Sequence, residues 1–197
     1  MKQARTLTDR ELKRLLAVIA QRRYAARDRA MVLLTHLAGM RIGEVAALKM
    51  GDVIDRNGEI VPEIHLSAEQ TKGKHARGVV LSARMRQELD DYLRWLRKAR
   101  LNMLAKDDKR SLPLFPTQKR SGFNANTACY HLFMLYRDAG FEGASSHSGR
   151  RSFLTNLSNK AVPLKVMMEL AGHRQAQTTM RYVSVTPDMK RAAVERL

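Results

Sequence analysis

The sequence has 197 residues, of which 44% are hydrophobic, enough for one sizeable core. It carries 36 Lys and Arg residues against 19 Asp and Glu, a formal net charge of +17. This excess predicts a polyanionic partner, most simply nucleic acid, although a merely basic soluble protein or one attracted to acidic membranes has the same charge. The single cysteine, Cys129, excludes an intrachain disulfide and a cysteine zinc cluster. The lone cysteine fits a reducing cytoplasm, and no apolar run approaches the ~20 residues of a membrane span, so we expect a cytoplasmic protein without a membrane partner. The basic charge adds an expected association with the nucleoid.

The first half of the chain predicts two helices followed by a small sheet. Thr8 and Glu11 have the spacing of a capping box, which opens the first helix. Residues 26–38 predict a central helix that stops at Gly39, because they are nearly all apolar over the stretch AMVLLTHLA. The turn signal Asn57-Gly58 and the later run ARGVVLS, reached through the basic turn TKGKH, predict three antiparallel strands.

The second half of the chain predicts further helices. Helical spacing resumes at Met85, and Asn124 is a plausible cap for a helix that ends near residue 140. Shorter helices are expected over residues 148–159, 163–171 and 178–183, and Pro187 opens a last one. The fold class is therefore α+β, a mostly helical domain with a small three-stranded antiparallel sheet, over residues 1–197.

Two pairs of residues suggest an anion site. Arg41 follows the expected helix stop and Glu44 comes three residues later, a pair that is also typical of the protein surface. His147 and Arg150 are three residues apart at a helix start, so both lie on one side of its first turn. Unpaired backbone N–H groups there favour an anion, although a capping histidine beside a solvated arginine has the same pattern.

Two further segments carry chemically reactive side chains, among them lysines that can deliver a proton. Lys72 and Lys74 lie on the turn between two expected strands, where a solvated turn is the alternative. His173 follows a helix stop at Gly172, and Tyr182 comes nine residues later with few apolar neighbours in sequence.

The order and spacing of these groups resemble the catalytic domain of the tyrosine recombinases, the phage integrase family. The series comprises Arg-x-x-Glu, a turn lysine, His-x-x-Arg, Leu-x-Gly-His and a tyrosine nine residues later. The blocks GMRIGEVAALKMGDV and LAGHRQAQTTMRY carry most of the match, which runs from about Thr6 to Arg191. The resemblance implies that the protein cleaves and rejoins double-stranded DNA through a 3′-phosphotyrosine, without a metal, ATP or another cofactor.

The resemblance also implies roles for individual residues. The catalytic set is Arg41, Lys72, His147, Arg150, His173 and Tyr182. In this set the two arginines clamp the phosphate, the lysine protonates the leaving oxygen, and the tyrosine is the nucleophile. Glu44 matches an acidic residue that supports the site without reacting. Weaker candidates for contacts with DNA are Lys74, Lys119, Arg120, Asn124, Asn126 and Arg151.

The sequence departs from the family pattern in two respects. Gly149 and Arg151 stand where the family usually has Leu and His around the second arginine. Most relatives also have about a hundred residues of helical DNA-binding domain upstream. Their absence is expected either of an excised fragment or of a short one-domain member such as the fimbrial phase-switching recombinases.

Several alternatives stay open at this point. A type IB topoisomerase uses the same nucleophile in one protomer, and a regulator on the same fold binds DNA without cleaving it. An RNA-binding protein is a more distant choice, since aromatic residues are few and no RNA-binding motif is present. Family members act as tetramers on DNA, with a C-terminal segment docked into a neighbour. The last helix here, within TPDMKRAAVERL, has either that role or packs on its own domain.

Overall fold

The computed structural model describes residues 4–71, 73–99, 109–117, 122–183, 185 and 187–195. Within these ranges the chain forms ten α-helices and two β-strands. In chain order they are α1 Asp9–Ala20, α2 Ala25–Leu37, α3 Ile42–Ala47, α4 Met50–Val53, β1 Glu63–Leu66, β2 Arg77–Val80, α5 Ala83–Ala99, α6 Ala125–Asp138, α7 Ser148–Asn159, α8 Leu164–Ala171, α9 Ala176–Met180 and α10 Pro187–Val194.

Local signals set the ends of the first two helices. The side chain of Thr8 accepts a hydrogen bond from the backbone of Glu11, and the Glu11 carboxylate accepts one from the backbone of Thr8. This confirms the predicted capping box. Helix α2 ends just before Gly39, which has a φ of +62°. A Cβ atom at Gly39 would lie 2.4 Å from the ring of Phe153, so both the turn and the packing require glycine there.

Helix α2 lies at the centre of the core, as its sequence predicts. Its residues pack against α1, α5 and α7. The largest fully buried side chains of the core include Leu15, Ile19, Met31, Leu33, Leu34, Tyr92, Phe115 and Tyr136. Among the helices that the structure describes, none combines the length and apolarity needed to cross a bilayer. A smaller apolar cluster of Leu154, Met167 and Ala171 joins α7 to α8.

The predicted third strand is wrong. Strands β1 and β2 pair antiparallel, with Glu63 opposite Val80 and Leu66 opposite Arg77, and the described residues contain no further strand. The turn at Asn57-Gly58 does form, but pairing across it is reduced to an isolated bridge between Ile54 and Ile60. The residues before this turn are helical instead, because the Asp52 carboxylate accepts the Lys49 backbone N–H at 2.8 Å and caps α4.

The unusual glycine beside Arg150 allows α7 to approach α2 closely. A Cβ atom at Gly149 would lie 1.9 Å from Oγ1 and 2.7 Å from Cβ of Thr35, which is fully buried on α2. A larger residue therefore does not fit without separating the two helices. The departure from the family pattern at Gly149 is thus compensated by the packing of this chain.

We expect Gly149→Ala to lower the free energy of unfolding by about 2–3 kcal/mol through overpacking, despite the better helix propensity of alanine. Gly43→Ala is the matched control, because a Cβ there meets only the Cβ of Ala125 at an ordinary 3.5 Å. The control should lie within about 1 kcal/mol of wild type in urea unfolding. Equal stability of the two variants would contradict the close contact between α7 and α2.

A buried polar pair lies beside this contact. Nε2 of His36 is 3.0 Å from the hydroxyl of Tyr136, and both side chains are buried. Burial lowers the pKa of His36 from 6.5 to about 4. The same burial raises the pKa of the Tyr136 phenol. Both groups are therefore neutral at pH 7.

The pKa of His36 predicts how stability changes with pH. Between pH 6.5 and 4 the unfolded chain binds a proton at this histidine and the folded chain does not, so the free energy of unfolding falls as the pH falls. The loss reaches up to about 3 kcal/mol, since one pKa unit corresponds to about 1.4 kcal/mol. His36→Gln keeps a hydrogen-bond acceptor and should remove this part of the pH dependence. Urea unfolding at pH 7 and pH 4.5 gives the loss of unfolding free energy on acidification for each protein. An equal loss in wild type and His36→Gln would contradict the prediction.

Candidate active site

Five of the six predicted catalytic residues line one cavity of about 300 Å³. They are Arg41, His147, Arg150, His173 and Tyr182. Arg41 and His173 also line a neighbouring cavity of about 660 Å³, which the turn between β1 and β2 borders through Thr71, Gly73 and His75. The two cavities therefore adjoin. Lys72, on that turn, lies outside the described residues, as do the weaker candidates Lys119 and Arg120.

Arg150 joins three segments of the chain. Its Nη1 donates to the carbonyl of Gly39 after α2, and its Nη2 donates to the carbonyl of Ala171 at the end of α8, both at 2.5 Å. The same Nη2 is 2.8 Å from Nε2 of His173. Burial, followed by the charge of Arg41, lowers the pKa of Arg150 to about 9, so the guanidinium is still cationic at neutral pH.

Glu44 is buried between two arginines. Its carboxylate lies 3.0 Å from Nη1 of Arg41 and 2.7 Å from Nη2 of Arg77, and it accepts the Arg41 backbone N–H at 2.8 Å. Burial alone would raise the pKa of Glu44, but the hydrogen bonds and charges of Arg77 and Arg41 outweigh it and lower the pKa. The surface-pair alternative for Arg41 and Glu44 is therefore wrong, since the Glu44 side chain is only 1% exposed.

Arg77 was not identified from the sequence as part of this site. It lies on β2, donates to Glu44 and places Nη1 3.3 Å from the carbonyl of Leu170. In the sequence it is part of an expected strand, and no local motif distinguishes it. Its aliphatic stem also explains Gly172, where a Cβ atom would lie 2.5 Å from Cδ of Arg77.

The left-handed turn at Gly172, with a φ of +63°, ends α8 and presents His173 to the cavity. Nδ1 of His173 lies 2.9 Å from Oγ1 of Thr179, and Nε2 faces Arg150. Burial, followed by the charge of Arg150, lowers the pKa of His173 to about 4, so the ring is neutral at pH 7. Nδ1 therefore carries the proton and donates to Thr179, while Nε2 accepts from Arg150. Thr179 is the second residue of this site that the sequence did not identify, although it lies within the quoted block LAGHRQAQTTMRY.

Tyr182 obtains its apolar contacts from other helices, which explains its sparse apolar neighbours in sequence. It follows α9, which begins two residues and ends three residues earlier than predicted, so that Tyr182 lies after the helix and not in it. Its side chain packs against the cluster of Leu154, Met167 and Ala171. Its ring stacks on His173, with centroids 6.2 Å apart and an interplanar angle of 18°. Tyr182 is half-buried and faces the same cavity as the two arginines.

The weaker DNA-contact candidates are dispersed. Lys74 is exposed on the β1–β2 turn, and Asn126 is exposed in the first turn of α6. Asn124 caps α6, because its Oδ1 accepts the Thr127 backbone N–H at 2.9 Å. It borders a separate cavity of about 820 Å³, which contains none of the predicted catalytic residues. Arg151 lines the 300 Å³ cavity beside Tyr182.

Within the part of the chain that the structure describes, no group of three His, Cys, Asp or Glu side chains is placed to hold a metal ion.

The fold and the cavity define a protein of the tyrosine recombinase class. The profile of the phage integrase family matches residues 5–189. The chain belongs to this family, which confirms the predicted resemblance.

Named relatives agree with this assignment. Tyrosine recombinase XerA of Thermococcus kodakarensis is 32% identical over 192 residues, which cover 98% of this chain and 62% of the relative. XerC of Myxococcus xanthus is 30% identical, over 81% of this chain and 51% of the relative. The chain thus spans between half and two thirds of the length of these curated relatives.

Solved structures share the fold. A crystal structure of XerA recombinase superimposes with a TM-score of 0.72 at 22% identity, over 100% of this chain and 64% of that one. A structure of XerH recombinase bound to its difH substrate before cleavage superimposes with a TM-score of 0.73 at 24% identity, over 98% of this chain and 54% of that one. Both confirm a mostly helical recombinase catalytic fold with a small antiparallel sheet.

We expect Glu44→Gln to lower the free energy of unfolding by about 3 kcal/mol, because Arg41 and Arg77 then lose their shared counter-charge. Glu169→Gln is the control, since its partner Lys165 and Glu169 itself are largely exposed. That substitution should change stability by less than about 0.5 kcal/mol. Urea unfolding at pH 7 gives both values. Similar small losses in both variants would show that Glu44 does not balance the arginines.

Proposed function

We propose that the protein is a site-specific DNA recombinase, in which this chain supplies the catalytic domain and acts on DNA in the cytoplasm. The observation that supports this most is the convergence of Arg41, Arg150, His147 and His173 on one cavity that Tyr182 also lines. The net charge of +17 favours binding to the DNA backbone.

The two arginines would hold the scissile phosphate. Arg41 is one-third exposed to the cavity, and its charge is only partly compensated by Glu44. Arg150 is fixed by two carbonyls, so a phosphate oxygen would replace Nε2 of His173 as the acceptor for its Nη2. Planar guanidinium groups bind the non-bridging oxygens well and stabilise the charge that gathers there in the transition state. By analogy with oxyanion donors, each is worth ~3–4 kcal/mol of barrier.

The phenolic oxygen of Tyr182 would attack phosphorus, forming the new P–O bond to tyrosine while the P–O5′ bond breaks. The phenolic proton passes to His147 in this scheme, since His147 borders the same cavity. His173 would donate to a non-bridging oxygen. This requires a proton at Nε2, which the free protein disfavours and a bound anion favours.

The departing 5′-oxygen needs a proton. Lys72 is proposed to supply it on the basis of the family resemblance, supported by the position of its flanking residues Thr71 and Gly73 at the edge of the adjoining cavity. General acids of this kind accelerate a step ~10²–10⁴-fold. Because the phosphotyrosine conserves the ester bond, a second DNA 5′-hydroxyl can reverse the attack without ATP.

Strand exchange would need several protomers, and we propose a tetramer on DNA. Helix α10 supports this, since Lys190, Ala193 and Val194 are exposed, and Val194 is 67% accessible. An apolar residue so exposed at the end of the last helix is suited to docking on a second copy.

Tyr182→Phe should abolish covalent attachment to DNA, because phenylalanine has no oxygen to attack phosphorus. The wild type and the variant are expressed in the host, the lysates are denatured, and DNA that remains attached to the protein is sequenced. Wild type should carry DNA enriched in one site. Tyr130→Phe is the control, since Tyr130 is 64% exposed on α6 outside the cavity and should keep the adduct.

Equal adducts on wild type and Tyr182→Phe would show that the nucleophile is misassigned. Tight binding with no adduct on wild type would favour a regulator that does not cleave. Relaxation of supercoils by a strict monomer, without exchange between two duplexes, would favour a topoisomerase.

A further inference from the structure

Arg151 occupies an unusual position beside the tyrosine. It lies in the first turn of α7, next to Arg150, and lines the 300 Å³ cavity. Its Cζ atom is 5.4 Å from the centroid of the Tyr182 ring. Its Nε is buried and has no hydrogen-bond partner among the described residues.

We infer that Arg151 is a positioning residue for Tyr182, holding the phenol ring in the cavity through a cation–π contact. This inference rests on the proposed role of Tyr182 as the nucleophile. It replaces the weaker interpretation of Arg151 as a contact to the DNA backbone. It also gives a function to the residue at which this chain departs from the family pattern.

The backbone around Tyr182 leaves the orientation of its side chain to such contacts. The preceding helix α9 has only five residues, and Tyr182 itself lies in a turn, in which its N–H bonds to the carbonyl of Thr179 and the N–H of Val183 to that of Met180. The ring is therefore held by the side chains around it, with His173 and Arg151 beside it and the apolar cluster of Leu154, Met167 and Ala171 packed against it. Small displacements of a nucleophile are costly for rate, because attack requires near-linear alignment at close range.

A purely structural role does not account for Arg151. A buried donor without a partner costs stability, and this cost at Nε offsets the gain from the contact with the Tyr182 ring. Such a cost is typical of functional sites. Removing the guanidinium should therefore change the stability of the protein little, because the loss of the ring contact and the relief of the unpartnered donor oppose each other.

The test compares Arg151→Met, which keeps a long apolar side chain, with Arg151→Lys, which keeps a cation that can lie over the ring. The control is Arg181→Met, which removes an exposed arginine next to Tyr182 in sequence. The DNA is a duplex with the sequence that wild type traps, nicked so that the cleaved end diffuses away and the adduct cannot reverse. For each protein we measure the dissociation constant for this DNA and the rate of adduct formation at saturating DNA.

We expect Arg151→Met to slow adduct formation at saturation about tenfold, with a dissociation constant within about twofold of wild type. Arg151→Lys should recover most of the rate. Arg181→Met should leave the rate at saturation unchanged. A normal rate at saturation for Arg151→Met with weakened DNA binding would overturn the inference and make Arg151 a backbone contact.

A second measurement does not depend on cleavage. In the free protein with ¹³C-labelled tyrosine rings, the Tyr182 signal is assigned with Tyr182→Phe. The chemical shift of the Tyr182 ring should change in Arg151→Met, change less in Arg151→Lys and stay the same in Arg181→Met. An unmoved signal in Arg151→Met overturns the inference. If wild type forms no adduct while the signal moves as expected, the proposed function fails and the contact with Arg151 stands.

Discussion

The structure depends on the buried guanidinium of Arg150. It binds the carbonyl that follows α2, the carbonyl that ends α8, and the imidazole of His173. These contacts bring together three chain segments that are far apart in sequence. The same atoms that hold the fold therefore face the cavity, and they are pre-organised before any anion arrives. This arrangement suits electrostatic catalysis, in which fixed donors cost no reorganisation at the moment of reaction.

The charges around Arg150 also indicate a site that is prepared for an anion. Arg41, Arg77 and Arg150 surround the buried carboxylate of Glu44, so the region keeps an excess of positive charge. The charge of Arg41 contributes to the lowered pKa of Arg150, which means that the arginines repel one another in the free protein. A phosphate between them would relieve this repulsion. Glu44 thus stabilises the fold, and a bound phosphate would complete the charge balance.

Much of this could be predicted from the sequence, because the signals were local. Thr8 and Gly39 bound the first helices through capping chemistry, and the spacing of His147 and Arg150 placed both on one helix start. The failures involve partners distant in sequence. The ion pair from Arg77 to Glu44 spans 33 residues and has no local signature.

The prediction of a third strand was wrong for a different reason. β-prone residues before the Asn57-Gly58 turn favoured a strand, but the capping of α4 through Asp52 prevailed. The need for glycine at position 149 likewise depends on a distant residue, Thr35, which no local signal reveals.

In the proposed reaction, the arginines act on the charge of one phosphate. The most direct test of this role compares the loss in adduct rate caused by Arg41→Ala on normal DNA with the loss on DNA carrying a neutral methylphosphonate at the cleaved position. A loss of at least about 100-fold on the phosphate and a much smaller one on the methylphosphonate is predicted; equal losses would contradict the account.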